Sequence, residues 1–170
     1  MARALEDLNS LPSNEAESEL LKCCGSKTWA RQVSEARPFP GLDQLIESAD
    51  RIWWALEPQD WLEAFRSHPK IGEQKAAQAT ATEARAWSVQ EQAGTRAAAP
   101  EIMQALTKGN RDYEHKFGFI FIICANGKTA DEMLAILRER LSNDPDKELH
   151  VAAEEQRKIT QLRLKKLLER

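Results

Sequence analysis

The sequence lacks a long apolar run, a secretion signal and an excess of basic residues. Its longest uninterrupted apolar stretch is residues 119–125, far shorter than the roughly 20 residues of a membrane-spanning helix. The first seven residues turn acidic at once and contain no apolar signal core, so we expect neither membrane insertion nor export. The 24 Lys and Arg residues are balanced by 27 Asp and Glu residues, which gives a net charge of −3. Nucleic acid is therefore not the favoured partner.

Cysteine, histidine and glycine are too few and too scattered to build the common cofactor sites. Cys23, Cys24 and Cys124 cannot form an ordinary disulfide framework, which indicates a reducing, cytoplasmic setting in which the thiols act as small buried hydrophobic groups. The cysteines and the three histidines show no metal-ligand spacing such as CxxC or HxxxH, so we predict no metal site. The seven glycines are dispersed and form no phosphate-binding loop, so we predict no nucleotide cofactor.

Apolar and charged residues, in contrast, are plentiful and are spread along all 170 residues. The chain is 42% hydrophobic and 30% charged, which is enough for a core, and its length predicts a single domain over residues 1–170. The apolar residues recur mostly at helical spacing, and we find no strand alternation long enough to build a sheet. We therefore predict an all-α fold, a bundle of about eight to nine helices. The first two predicted helices begin after a Ser13 cap and a Ser26 cap, and the next three cover about 42–56, 59–67 and 83–93. Three more begin near Pro100, at a Thr129–Glu132 capping box and at Pro145, and the last of them runs to about Leu168.

Two stretches are ambiguous at the level of secondary structure. Residues 117–125 are rich in β-branched and aromatic residues and could form a buried strand. No second strand-like segment is present to pair with them, so we predict a buried helix that ends at Asn126 and Gly127. Residues 72–82 are rich in Ala, Gln and Thr and weakly patterned, which predicts either a loop or a frayed helix over a site.

His68 is the first candidate for chemistry. Pro69 forces the backbone of His68 into an extended conformation, so the imidazole leaves the end of a helix at a fixed angle. Imidazole titrates near neutrality, and one residue can therefore both accept and return a proton. The alternative is that His68 only caps or packs at the helix terminus. We expect the other two histidines, His115 and His150, at solvated surface positions.

Ser88, Glu91 and Gln92 form a second candidate group. Their spacing of i, i+3 and i+4 puts a hydroxyl, a carboxylate and an amide on one face of a helix. The alternative is that Ser88 and Glu91 form a capping box at a helix start.

Arg163 is a third candidate because it lies on the buried stripe of the final helix. An advance of about 100° per residue from Leu149 places on that stripe Ala153, Gln156, Ile159, Thr160, Arg163 and Leu167. A guanidinium cannot lose its charge and is costly to bury unpaired, so it must meet a carboxylate, reach solvent or bind an anionic ligand. An internal ion pair is the alternative to ligand binding.

Several short motifs follow one another in a specific order along most of the chain. They are residues 23–26 (CCGS), 37–39 (RPF), 61–65 (WLEAF), 68–73 (HPKIGE), 87–92 (WSVQEQ), 110–119 (NRDYEHKFGF), 138–141 (RERL) and 163–164 (RL). Together they resemble the OHCU decarboxylase family, whose members act on 2-oxo-4-hydroxy-4-carboxy-5-ureidoimidazoline (OHCU) in uric acid breakdown. Any one of these motifs is weak evidence, but their order is specific.

The resemblance implies an all-helical, cofactor-free homodimer that converts OHCU to (S)-allantoin and carbon dioxide. It implies that His68 is the catalytic histidine, and we expect Glu91 to act with it. It further implies a set of substrate-binding residues: Pro69, Ser88, Gln92, Phe119, Ile120, Phe121, Ile122, Ile123 and Arg163.

The resemblance leaves some properties open. The stretch 73–87 varies in the family, so closure of the pocket there is not defined. Plant and animal relatives often end in a peroxisomal tripeptide, which residues 168–170 do not match, so we expect a bacterial, cytoplasmic protein. Two other functions are alternatives: a hydrolase of a related ureido or cyclic amide compound, and a helical interaction module without chemistry.

Overall fold

The predicted all-α architecture is confirmed by a computed structural model, which describes residues 2–71 and 82–169. Within these residues the chain forms nine α-helices and a short 3₁₀ helix at Ala93–Thr95, and no strand. The α-helices are α1 (Ala2–Ser10), α2 (Ser13–Cys23), α3 (Lys27–Glu35), α4 (Leu42–Trp54), α5 (Pro58–Arg66), α6 (Thr82–Glu91), α7 (Pro100–Phe117), α8 (Ala130–Arg140) and α9 (Pro145–Leu168). The ambiguous stretch 72–82 lies outside the described residues except for Thr82, where α6 begins.

Internal contacts divide the chain into two units. Unit 1 comprises Met1–Ala64 and Arg157–Arg170, and unit 2 comprises Phe65–Gln156. The predicted single domain over residues 1–170 stays a prediction. None of the helices in the described part of the chain has the length and apolar character needed to cross a membrane.

The core of unit 1 forms where α3 packs against α2 and α4. The Ser26 cap is confirmed, because its side chain accepts a hydrogen bond from the backbone N–H of Trp29 at 3.2 Å. The Trp29 ring is fully buried and donates its indole N–H to the Ala49 carbonyl at 3.1 Å. The Ser13 cap is wrong by one position: Ser13 is already helical, and the capping residue is Pro12, which makes no side-chain bond.

Helix α1 has no counterpart among the predicted helices, and contacts distant in sequence hold its end. Arg37 donates hydrogen bonds to the carbonyls of Leu8 and Leu11 at 2.6 and 2.8 Å. Asn9 and Phe39 exchange two bonds of 2.9 Å, from Asn9 Nδ2 to the Phe39 carbonyl and from the Phe39 N–H to Asn9 Oδ1. The proline-rich break after α3 therefore anchors the N-terminal helix.

Unit 2 is built on the packing of α7 against α8. Its buried core includes Leu106, Tyr113, Met133 and Leu137. A Cβ atom at Gly109 would lie 2.5 Å from Leu137 Cδ2, so the absence of a side chain there lets the two helices approach closely. The capping box that opens α8 is confirmed, with both reciprocal bonds between Thr129 and Glu132 present.

A buried charged group, which we call the Arg140 cluster, consists of Tyr113, Arg140 and Glu148. Glu148 Oε1 accepts from Arg140 Nε at 2.7 Å and from the Tyr113 hydroxyl at 2.5 Å. Arg140 and Glu148 are 5% and 0% exposed. Burial raises the pKa of Tyr113 well above its ordinary value, and the positive charge of Arg140 opposes this shift. The cluster is therefore a buried ion pair with hydrogen bonds to its neighbours.

Residues 118–125 are not helical, so the prediction of a buried helix there is wrong. Helix α7 ends at Phe117 because Gly118 takes a left-handed conformation with φ +79°. The backbone beyond it bonds to side chains of other helices: Arg140 donates to the Ile122 carbonyl at 2.7 Å, and the Cys124 N–H donates to Glu155 at 2.7 Å. These side chains replace the partners that a helix would supply, and we call residues 118–125 the extended segment.

Candidate active site

His68 lies directly after α5, as predicted, in a turn and not on a helix face. Helix α5 ends at Arg66, and the His68 N–H donates to the Phe65 carbonyl at 3.1 Å. The side chain is half-buried, as is that of Pro69. The turn therefore presents a partly accessible imidazole at a defined position.

The imidazole of His68 contacts a side chain that the sequence interpretation did not assign to the site. His68 Nε2 lies 2.7 Å from Oε1 of Gln156 on α9, a residue that is fully buried. Because a carboxamide oxygen only accepts, the imidazole Nε2 donates in this bond. The signal for Gln156 was present in the sequence as a polar residue on the apolar stripe of the last helix, but its partner lies 88 positions away.

Ser88 and Glu91 lie near the C-terminal end of α6, and Gln92 directly follows the helix. Ser88 is buried inside the helix, its hydroxyl donates to the Ala84 carbonyl at 3.0 Å, and its own carbonyl accepts from the Gln92 N–H at 3.1 Å. Because α6 begins at Thr82, Ser88 does not open a helix and the capping-box alternative is wrong. Glu91 and Gln92 are both half-buried.

The extended segment includes residues 119–123, whose backbone contacts with the substrate stay a prediction, and it lies near the end of α5. The ring of Phe119 packs on that of Phe65, with centroids 5.4 Å apart. Phe119 and Ile120 are half-buried, whereas residues 121–123 are buried. The segment thus lies next to the helix that ends two residues before His68.

Cys124, at the end of the extended segment, indicates which charges are nearby. Burial raises the pKa of its thiol above the ordinary value, and the negative charges of Glu155 and Glu91 act in the same direction, whereas the Asn126 backbone and the positive charge of Lys128 oppose the shift. Glu155 also binds the Cys124 N–H. The carboxylates of α6 and α9 therefore both act electrostatically on this part of unit 2.

Arg163 belongs to unit 1, and its predicted burial on the stripe of α9 is confirmed at 3% exposure. The pKa of the Cys24 thiol depends on Arg163 and on other groups around it. Burial raises the pKa of Cys24 to about 12, Arg163 lowers it, and Glu63 raises it. All three cysteines are buried, which confirms the prediction that they are small buried groups.

The structure agrees with the surface positions predicted for the other two histidines. His115 and His150 are exposed, as expected. The catalytic and substrate-binding roles of the candidate residues stay predictions, because the geometry gives their positions and not their chemistry.

Comparison with known proteins identifies relatives along nearly the whole chain. The sequence model of the family described as OHCU decarboxylase matches residues 9–165. The uric acid degradation bifunctional protein TTL of Arabidopsis thaliana is 44% identical over 153 residues, which are 89% of this chain and 47% of that protein. The chain therefore spans about half the length of this relative. The 2-oxo-4-hydroxy-4-carboxy-5-ureidoimidazoline decarboxylase of Amia calva is 31% identical, over 82% of this chain and 79% of its own length.

One solved structure has both a similar fold and a similar sequence. It is a crystal structure of an OHCU decarboxylase in the presence of (S)-allantoin. The TM-score is 0.77 at 41% identity, and the alignment covers 89% of this chain and 98% of that one.

Proposed function

The chain belongs to the OHCU decarboxylase family, and we propose that it decarboxylates OHCU to (S)-allantoin and carbon dioxide in uric acid degradation. The observation that carries this proposal is the match over residues 9–165. The matched range includes His68, the polar group at the end of α6 and Arg163. Relatives named for uric acid degradation or for OHCU decarboxylation support the same activity.

The substrate explains how side chains alone could perform this reaction. When carbon dioxide leaves, the electron pair of the broken C–C bond needs an acceptor, and many enzymes use a cofactor as that acceptor. In OHCU the carboxylate sits on a carbon next to a ring C=N bond. The electron pair can move into that bond, so we propose a cofactor-independent reaction.

His68 is the proposed acid and base. As a neutral imidazole it accepts or orients the proton of the substrate hydroxyl while the C–C bond breaks. The planar intermediate then receives a proton on one face, which gives the (S) product. Acid–base help of this kind contributes on the order of 10²- to 10⁴-fold.

The polar residues at the end of α6 are the proposed positioning groups. Glu91 accepts hydrogen bonds from the nitrogen donors of the substrate and fixes the geometry around His68. Gln92 can both donate to and accept from ring or ureido amides, and Ser88 supplies one more hydrogen bond. Pro69 and backbone amides of residues 119–123 complete the proposed substrate contacts.

Arg163 is the proposed anion-binding residue. Its planar guanidinium matches a carboxylate or a ureido carbonyl with two parallel hydrogen bonds. Its burial, 3% exposed, supports this role, because a low-dielectric setting strengthens an interaction with an anion.

The direct test generates OHCU in place from urate and the upstream enzymes and follows the circular dichroism of allantoin. We expect the purified protein to accelerate the appearance of the (S) signal over the spontaneous reaction. An unchanged rate contradicts the proposed activity. Product analysis addresses the alternative hydrolase, because ring opening without carbon dioxide release would favour hydrolysis.

We also propose a homodimer in a reducing, cytoplasmic compartment. The resemblance supports the dimer, and the three buried thiols support the compartment. Sedimentation should give twice the 19.3 kDa of one chain; a mass of one chain at micromolar concentration contradicts the dimer.

A further inference from the structure

Gly94 lies in the short 3₁₀ helix that follows α6, and it packs against a backbone carbonyl. A Cβ atom built on Gly94 would lie 1.9 Å from the carbonyl oxygen of Lys128 and 3.1 Å from its carbonyl carbon. Because the φ angle of Gly94 is not positive, the requirement for glycine there is one of space and not of backbone conformation. Cβ atoms essentially never lie within 3.0 Å of another heavy atom, so a side chain at this position would move the two backbones apart by about 1 Å or more.

Lys128 ends a turn that is held in place on both sides. Its N–H donates to the Ala125 carbonyl at 3.0 Å, and its Nζ donates to the Cys124 carbonyl at 2.9 Å. The Cys124 N–H donates to Glu155 of α9 at 2.7 Å. The next residue, Thr129, forms the capping box that opens α8. The turn is therefore attached to the extended segment, α8 and α9, and we expect the 3₁₀ helix to be the side that moves.

Hydrogen bonds connect the 3₁₀ helix to the candidate binding residues. The Gln92 carbonyl accepts from the N–H and from the hydroxyl of Thr95, at 3.0 and 2.9 Å. The Gln92 N–H donates to the Ser88 carbonyl at 3.1 Å. The negative charge of Glu91 raises the pKa of the Cys124 thiol, so the end of α6 lies within electrostatic range of the extended segment. A displacement of the 3₁₀ helix would therefore also displace the end of α6.

We propose that Gly94 is a positioning residue, because its lack of a side chain lets the 3₁₀ helix dock on the Lys128 carbonyl. This docking holds Glu91 and Gln92 beside the extended segment, where they bind the substrate. Gly94 itself acts only through these two residues. The inference rests on the proposed function for its effect on turnover, whereas the docking is a property of the substrate-free protein.

The first test measures the docking without substrate. Hydrogen exchange, followed by mass spectrometry, compares Gly94→Ala with the wild type in peptides that cover residues 86–98. We expect exchange there to become about 10-fold faster or more in the variant, because the end of α6 loses its support. Peptides from α7 should keep the wild-type rate. Unchanged exchange over residues 86–98, or an equal acceleration throughout unit 2, overturns the proposal whether or not the protein decarboxylates OHCU.

The second test separates positioning from a general loss of structure. A misplacement of about 1 Å can lower a rate about 100-fold, so Gly94→Ala should lower kcat/KM about 10- to 100-fold. In a variant that already carries Glu91→Ala and Gln92→Ala, the same change should lower kcat/KM less than about threefold, because the groups it displaces are absent. An equal loss in both backgrounds, or no loss in the wild-type background, contradicts the proposal.

Ala93→Ser is the matched control. Ala93 is exposed and precedes Gly94 in the same 3₁₀ helix, so this change adds one heavy atom to the helix at a solvent-accessible position. It should leave kcat/KM and hydrogen exchange within about twofold of the wild type. Losses equal to those of Gly94→Ala would contradict a role for the close approach to Lys128.

A second variant keeps the proposal testable if Gly94→Ala does not fold. Thr95→Val preserves the shape of the side chain but removes the hydroxyl that binds the Gln92 carbonyl. It should lower kcat/KM about twofold or more and accelerate exchange over residues 86–98; wild-type values of both contradict the proposal. If the wild-type protein shows no decarboxylation, the proposed function fails, and the exchange measurement still decides whether the 3₁₀ helix docks through Gly94.

Discussion

The Arg140 cluster and the His68–Gln156 pair, both within unit 2, use buried polar groups in opposite ways. The Arg140 cluster combines a cation, an anion and a phenol, and its charged groups are almost completely buried. The His68–Gln156 pair joins an imidazole to a carboxamide that carries no charge, and its imidazole is half-buried. A buried ion pair is suited to fix a structure, whereas a half-buried imidazole titrates near neutrality and is suited to proton transfer. The two sites therefore predict separate effects on stability and on activity.

The largest expected effect on stability comes from removing the negative charge of Glu148 from the Arg140 cluster. Glu148→Gln keeps the shape of the side chain but leaves the Arg140 guanidinium buried without its counter-charge. We expect the free energy of unfolding to fall by about 3–5 kcal/mol, measured by urea titration. As a control, Arg157→Gln breaks a partly exposed 2.6 Å pair with Asp50 and should cost less than about 1 kcal/mol. Equal losses in the two variants would contradict the distinction.

Removal of the His68 imidazole should have the opposite effect, a large loss of activity with little change in stability. His68→Ala should lower the enzymatic acceleration about 10²- to 10⁴-fold while the midpoint of thermal unfolding stays close to that of the wild type. The measurement is the circular dichroism assay for allantoin, with thermal unfolding in parallel. A variant with the wild-type rate removes His68 from the mechanism, and a variant that unfolds early makes His68 a structural residue.

Substitution of Arg163 tests whether this buried cation of unit 1 stabilises the fold through an ion pair, as Arg140 does in unit 2, or binds the substrate. If it binds the substrate anion, Arg163→Ala should raise KM about 10- to 100-fold, which corresponds to about 1.5–3 kcal/mol for a hydrogen bond to a charged group. The free energy of unfolding should then change little. A loss of several kcal/mol of stability with an unchanged KM would instead support the internal ion pair.

The smallest expected effect concerns Cys24, a buried neutral group. Its pKa of about 12 in the folded state lies above the ordinary value of 9.0, so the unfolded state loses its proton first as the pH rises. Stability from this group is complete below pH 9 and is lost towards pH 12. Between pH 8 and 10 the wild type should lose on the order of 1 kcal/mol more than Cys24→Ala, by urea titration at both values. Parallel pH dependences would contradict this.

Features that depend on neighbouring residues could be predicted from the sequence. The Ser26 cap and the Thr129–Glu132 capping box involve residues three positions apart, and both are present. The turn at His68 follows from the adjacent proline, and the burial of Arg163 follows from helical periodicity. Each of these predictions depends only on residues that lie within a few positions of one another or within a few turns of one helix.

Features that depend on distant partners could not be predicted in this way. The extended segment resembles a buried helix in composition, but its backbone partners are Arg140 and Glu155, 18 and 31 positions away. Helix α1 is held by Arg37 and by Phe39, about 30 positions away. Gln156 lies on the expected stripe, yet its contact with His68 exists only in the folded chain. The periodicity therefore identified the buried residue but not its partner.

Glu155 and Gln156 are consecutive residues of α9, and one binds the extended segment while the other binds His68. Consecutive residues in a helix differ by about 100° in direction and 1.5 Å in height. The insertion or deletion of a single residue between Glu148 and Glu155 would rotate both groups together by about 100° relative to the first turns of α9, where Glu148 is fixed in the Arg140 cluster. The number of residues between Glu148 and Gln156 is therefore fixed. Functional variants with insertions or deletions should carry them outside residues 148–156.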